Sequence, residues 1–199
     1  MKDLLMKIWG CSLVAAFVVS IGLHPISGAS NTVSRPEQHL KSKDLVVTRV
    51  FNAPAERVWK AWSDPEYVMR WWGPKVFTSP IAKIDFRVGG TSLVCMRSPD
   101  GHDMYNSWTY RKIVPGEMIE FVLDWADKDG NRIDPAQMGL PPDMPRDVRH
   151  VITFKAVDKE KTEMTVTEFG YKSDQHLELS KAGLNECLDK MAAIFDGLN

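Results

Sequence analysis

The sequence predicts an α+β domain: a curved antiparallel sheet of about seven strands with one long C-terminal helix packed across it. Three observations carry this. One strand pattern and two short helical segments come first, and six strand patterns joined mostly by short turns follow. The last twenty-five residues then switch to a helical stripe. With 199 residues, 44% of them hydrophobic and 26% charged, the chain can bury a sizeable core without staples.

Leu45–Phe51 (LVVTRVF) is β-branched and half alternating, a strand pattern. Pro54 suits the first turn of a helix and Glu56 its positive end, while Ala55, Val58, Trp59 and Trp62 recur at helical spacing. Asp64 can cap a second short helix with Pro65 in its first turn, stopped by Gly73-Pro74. At its end Trp71 and Trp72 either rim a cavity or divide into one buried and one exposed ring. Ile81–Val88 and Thr91–Arg97 read as a hairpin joined by Gly89-Gly90. Pro99-Asp100-Gly101 turns the chain into Met104–Ile113, and Pro115-Gly116 turns it into Met118–Trp125. A long Asp/Pro-rich segment, Ala126–Arg146, carries Pro135, Pro141, Pro142 and Pro145 as stiffeners and Met138, Leu140 and Met144 as apolar contacts. It reads as a lid over a cavity mouth or as a loop packed on the sheet edge. Val148–Val157 and Glu163–Tyr171 form a last hairpin across Asp158–Lys161. From Ser173 the chain turns helical, with Leu184, Leu188, Met191, Phe195 and Leu198 on one stripe and Cys187 and Ile194 beside it.

The N-terminus follows other rules. Lys2 and Lys7 precede an uncharged run, Ile8–Leu23, then Pro25 and the small residues Ser27-Gly28-Ala29. This is the layout of a signal peptide over residues 1–29, cleaved after Ala29, with a polar tether over 30–42 and the folded domain over 43–199. The expected location is therefore periplasmic or secreted. An uncleaved anchor would need about 20 apolar residues, more than this run supplies. Cys11 sits ahead of the apolar run, where a lipidated cysteine would not. Export leaves Cys95 and Cys187, either as small buried hydrophobes or as a disulfide pair.

The net charge of -1 and the lack of a Lys/Arg run argue against nucleic acid as a partner, and against membrane contact beyond the leader. His24, His39, His102, His150 and His176 have no metal-ligand spacing. Asp127-Lys128-Asp129-Gly130-Asn131 has its glycine too early for a calcium loop. No phosphate-binding, dinucleotide-binding or nucleophile-elbow motif is present, so no metal, cofactor or catalytic signature is expected.

Strand parity identifies the side chains that share the core face. If the last hairpin pairs Phe154 with Met164, then Ile152 meets Val166 and His150 meets Glu168, placing two ionisable groups together on an apolar face. They form a structural pair near the sheet's end or a pair that holds a ligand or moves a proton. The Pro115-Gly116 hairpin likewise sets Trp108 opposite Leu123 and Asn106 opposite Trp125. Trp108, Phe121 and Trp125 then supply apolar walls and Asn106 one polar anchor, as in a small-molecule site; plain core packing is the alternative for each ring. Candidate ligand contacts are thus Asn106, Trp108, Phe121, Trp125, His150 and Glu168 from the sheet, with Cys187 from the helix stripe.

The segments FNAPAERVWKAWSDPE (51–66), WWGP (71–74), IDFRVGG (84–90), PDG with a strand reaching IVPGE (113–117), and GLNECLDKMAAIF (183–195) occur in this order. Together they resemble the START-like SRPBCC superfamily, and within it the branch named for the C-terminal domain of the activator of the heat-shock protein 90 ATPase. The resemblance covers about Leu45 to Leu198. It implies a helix-grip fold and a pocket for a small apolar ligand; some members instead catalyse cyclisation or hydration, a role that would fall here to His150 and Glu168. A protein-interaction domain like the chaperone activator is the third possibility. Two departures stand out: Leu184 lies where relatives commonly carry Trp, and the export signal separates the chain from a cytoplasmic chaperone.

Overall fold

The computed structural model describes residues 42–140 and 144–197. The expected leader and tether, Ser42 apart, lie outside these residues, as do Pro141, Pro142 and Leu198.

Seven strands make one antiparallel sheet: β1 (Lys43–Phe51), β2 (Ala82–Lys83), β3 (Thr91–Arg97), β4 (Asp103–Val114), β5 (Met118–Ala126), β6 (Val148–Ala156) and β7 (Thr162–Tyr171). Their order is β1-β7-β6-β5-β4-β3-β2, so among the described residues only the β1–β7 pairing joins strands distant in sequence. Short turns impose the rest. At Pro115-Gly116 the Glu117 N–H closes onto the Val114 carbonyl at 3.0 Å, and Gly116 takes the left-handed φ of 75° that this turn requires.

Two short helices, α1 (Ala55–Ser63) and α2 (Pro65–Trp71), follow β1. The Asp64 carboxylate accepts the Glu66 N–H at 2.9 Å and Pro65 opens α2, which satisfies the N-terminal donors there. Val58, Ala61 and Trp62 of α1 and Val68 and Trp71 of α2 are buried in the core. The long helix α3 (Asp174–Asp196) is capped by the Ser173 side chain. It buries Leu184, Cys187, Leu188, Met191, Ile194 and Phe195, and Phe195 meets Phe51 of β1 edge-on at 5.7 Å. Sheet, short helices and long helix together form the helix-grip α+β architecture. Cys95 and Cys187 are both buried free thiols, so the disulfide alternative does not hold.

The expected hairpin over Ile81–Val88 is corrected by the structure. Strand β2 holds only Ala82 and Lys83, which pair with Val94 and Leu93. Beyond them the chain curls: Asp85 N–H donates to Ser92 Oγ at 3.0 Å, Arg87 N–H to the Asp85 carbonyl at 2.9 Å, and Gly90 N–H to the Arg87 carbonyl at 2.8 Å. Gly89 and Gly90 then bond to Tyr110 of β4. The alternation itself is real, with Ile84 and Phe86 packed against the core and Asp85 paired with Arg87 outside. Its backbone partners are a turn and β4 instead of β3. A Cβ on Gly90 would stand 2.3 Å from the Asp85 carbonyl oxygen, so the glycine serves this close approach.

Candidate functional site

The inner face of the sheet is assembled row by row from the strand register. Val94, Asn106 and Trp125 lie side by side on β3, β4 and β5. The next row is Ser92, Trp108, Leu123 and Val148, and the one after it Tyr110, Phe121, His150 and Glu168. The pairings of Asn106 with Trp125, Trp108 with Leu123, and His150 with Glu168 are those that parity predicts. Six of the seven candidate residues therefore share one face, and Cys187 is buried on the helix α3. Leu123 keeps partial exposure on this otherwise buried wall.

Rings dominate the wall. Trp108 stacks on Phe121 with centroids 5.1 Å apart, and Phe121 stacks on the His150 imidazole at 4.8 Å and 10°. Trp72, beyond the end of α2, meets Trp108 edge-on at 4.8 Å. Trp71 is fully buried and its indole donates to the Ala61 carbonyl at 2.7 Å, whereas Trp72 remains partly exposed. The two tryptophans thus divide as one buried and one part-open ring. Helix α3 fixes the loop that carries Trp72: Lys190 Nζ donates to the carbonyls of Trp72, Gly73 and Phe77 at 3.5, 3.0 and 3.0 Å. Burial holds the Lys190 ammonium below its ordinary pKa.

His150 and Glu168 are both buried, with Nε2 and Oε1 3.4 Å apart. His150 Nδ1 lies 2.9 Å from the Val148 carbonyl, which can only accept, so Nδ1 carries a hydrogen. The Tyr171 hydroxyl donates to the other oxygen, Glu168 Oε2. Burial, then the Glu168 charge beside it, raises the Tyr171 phenol well above its ordinary value. Burial likewise pushes the Cys187 thiol up to about 12, which keeps it protonated and unreactive at neutral pH.

Several buried polar side-chain atoms have no protein partner. Among the described residues, both amide atoms of Asn106, the indole nitrogens of Trp108 and Trp72, and Ser79 Oγ are buried without a hydrogen bond. Asn106 is 1% exposed and Trp108 0%. Buried polar groups are nearly always paired, so an amide orphaned at both ends is an unusual feature. Trp72 and Tyr171 are site residues that parity missed. Trp72 lies outside any strand, and Gly170 (φ 92°) with the register break between Lys43 and Leu45 turns Tyr171 inward out of alternation.

The long segment after β5 is tied down at its end of the sheet. Trp125 Nε1 donates to the Pro145 carbonyl at 3.0 Å, and Arg132 bridges Asp124 and Asp147 at 2.6 Å each. Pro135–Met138 form a short 3-10 turn, and Met138, Leu140 and Met144 are buried. The Asp127 carboxylate is occupied by the N–H groups of Asp129 and Asn131 and by the Asn131 amide, as in a solvated turn. The described residues contain no group of three His, Cys, Asp or Glu side chains able to hold a metal ion.

Residues 52–196, which include every candidate residue above, match the family described as Activator of Hsp90 ATPase homolog 1-like protein. The chain belongs to this family. Its fold agrees with solved structures of the same kind. A Mycobacterium smegmatis protein is 26% identical, with a TM-score of 0.62 over 80% of this chain and 91% of its own. An Arthrobacter aurescens protein at 22% identity reaches a TM-score of 0.66 over 83% and 93%. The AHSA1 protein from Silicibacter pomeroyi, at 19% identity, gives 0.64 over 79% and 100%. No curated protein matches the chain. Family membership places the fold in the START-like SRPBCC group that the sequence resembles.

Proposed function

We propose that this protein is an exported binding protein for a small hydrophobic ligand held against the inner face of the sheet. The observation that carries the reading is the set of buried, unpartnered polar atoms on Asn106, Trp108 and Trp72, set among aromatic rings. A core built only for stability has no use for an amide without partners, whereas a ligand site is an apolar wall with a few polar groups kept open. Leu123, paired with Trp108, is the part-exposed residue of this wall. Export is read from the leader pattern in the sequence. The test is native mass spectrometry of the protein purified from its own source, followed by denaturing extraction. A reproducible small apolar mass released on denaturation supports the reading. An empty protein that also gives no calorimetric response to naphthalene-type probes refutes it.

A second reading, an enzyme of the cyclase or hydratase type, draws on the 3.4 Å approach of His150 Nε2 to Glu168 Oε1 in the row next to Trp108. It requires that His150→Gln keep ligand affinity while product formation from the extracted ligand stops. Unchanged turnover in that variant would end it.

A further inference from the structure

Resting on that binding reading, we infer that the ligand presents to Asn106 an uncharged polar group with a carbonyl acceptor and an adjacent N–H donor, as in a carboxamide or lactam, on a flat apolar body. The donor and acceptor inventory carries this. Asn106 offers an acceptor, Oδ1, and a two-hydrogen donor, Nδ2, both buried and unpaired. The indole N–H groups of Trp108, two residues along the same strand face, and of Trp72, packed edge-on against Trp108 at 4.8 Å, add two more open donors. The set is complementary to a group that returns one N–H to Oδ1 and receives donors at a carbonyl oxygen.

The charges nearby exclude an ion. Lys190, the cation at the Trp72 loop, spends its three hydrogens on the carbonyls of Trp72, Gly73 and Phe77. In the row of Asn106 and the next one the neighbours are Val94, Trp125, Trp108, Leu123, Val148 and Ser92, and on its other side lie Met96 and Met104. Ser92 Oγ is taken by Tyr110 Oη and by the Asp85 N–H at 3.0 Å each. His150, two rows from Asn106, is engaged by the Val148 carbonyl and Glu168. A carboxylate placed here would be buried without a counter-ion, and a pure hydrocarbon would leave the amide unpaired.

The experiment is calorimetric titration of the full chain with three probes of one shape: 2-naphthamide, 2-naphthoate and 2-methylnaphthalene. The expected result is 2-naphthamide binding at least about 10-fold tighter than either of the others. In Asn106→Leu that preference should vanish while 2-methylnaphthalene binds as well as before or better. Preference for 2-naphthoate, or equal affinity for all three as when ordered water serves the amide, overturns the ligand class and leaves the binding reading standing. No binding of any probe together with an empty protein from the native source overturns both. A ligand-free readout accompanies these. Asn106→Leu removes an unpaired buried amide, so its melting temperature should rise, and a fall would show that Asn106 is satisfied within the fold.

Discussion

The bond between Tyr171 and Glu168 gives the site its most direct energetic test. Tyr171→Phe deletes one hydroxyl and leaves the ring in place, so no cavity contributes to the effect. What it removes is the donor to Glu168 Oε2, on a side chain that is 7% exposed. A hydrogen bond to a charged acceptor contributes about 1.5–3 kcal/mol, and an oxygen stranded away from water lies at the upper end. With a urea dependence of about 2 kcal/mol per molar, a loss of about 2 kcal/mol lowers the unfolding midpoint by about 1 M. The assay is urea denaturation followed by tryptophan fluorescence, run as a double-mutant cycle with Glu168→Gln. A single-mutant loss below about 0.5 kcal/mol, or a coupling energy near zero, would show that Glu168 is held by other groups. The same pair sets an alkaline response. The folded phenol titrates above its unfolded value, so the stability it contributes is complete below about pH 10 and falls as pH rises further.

Gly90→Ala should destabilise the domain by about 3 kcal/mol, because its Cβ meets the Asp85 carbonyl instead of a yielding side chain; thermal melting checks this, and a change within 0.5 kcal/mol of zero would remove the close-approach argument. Lys190→Met strands three carbonyls of the Trp72–Phe77 loop and should cost about 1–3 kcal/mol. Limited proteolysis should find new cleavage in that loop, and an unchanged digestion pattern would count against the clamp. Cys187 is raised from 9.0 to about 12, above its unfolded value, so stability should decline as pH climbs from about 9 towards 12. Urea midpoints between pH 8 and pH 11 should fall less steeply in Cys187→Ala, with Cys95 keeping part of the slope because its thiol is raised in the same direction.

The fold was legible because its signals are local and mutually consistent. Asp64-Pro65, Pro115-Gly116 and the Ser173 cap each act within a few residues, and a tight turn such as Pro115-Gly116 forces the next strand to return beside the last. The one strand misread, Ile81–Val88, shows where such signals stop. Alternation reports which side chains face the core, and Ile84 and Phe86 do. It does not report which backbone accepts the hydrogen bonds, and here the acceptors lie in a turn and on Tyr110. The long-range β1–β7 ladder has no local signature either. It follows from the need to pair the remaining edge of an antiparallel sheet whose first strand is otherwise alone.

The site divides along the same line. Parity in two hairpins places Asn106, Trp108, Phe121 and Trp125 on one face of the first and His150 and Glu168 on one face of the second, and the pairing of Phe121 with His150 between β5 and β6 joins them into one wall. Parity carries no information on whether a buried group finds a partner, and that distinction separates the two halves of the wall. His150 and Glu168 read in the sequence as a structural pair or as a pair that holds a ligand or moves a proton, and a carbonyl and a tyrosine hydroxyl close them off from either end. Asn106 looks like a single neutral anchor, yet its amide stays open at both ends. The satisfied charged pair fixes the far end of the wall, and the unsatisfied neutral amide is the part left for something else to complete. On that division the proposed ligand contact falls at Asn106, Trp108 and Trp72, with the histidine–glutamate row as its backing.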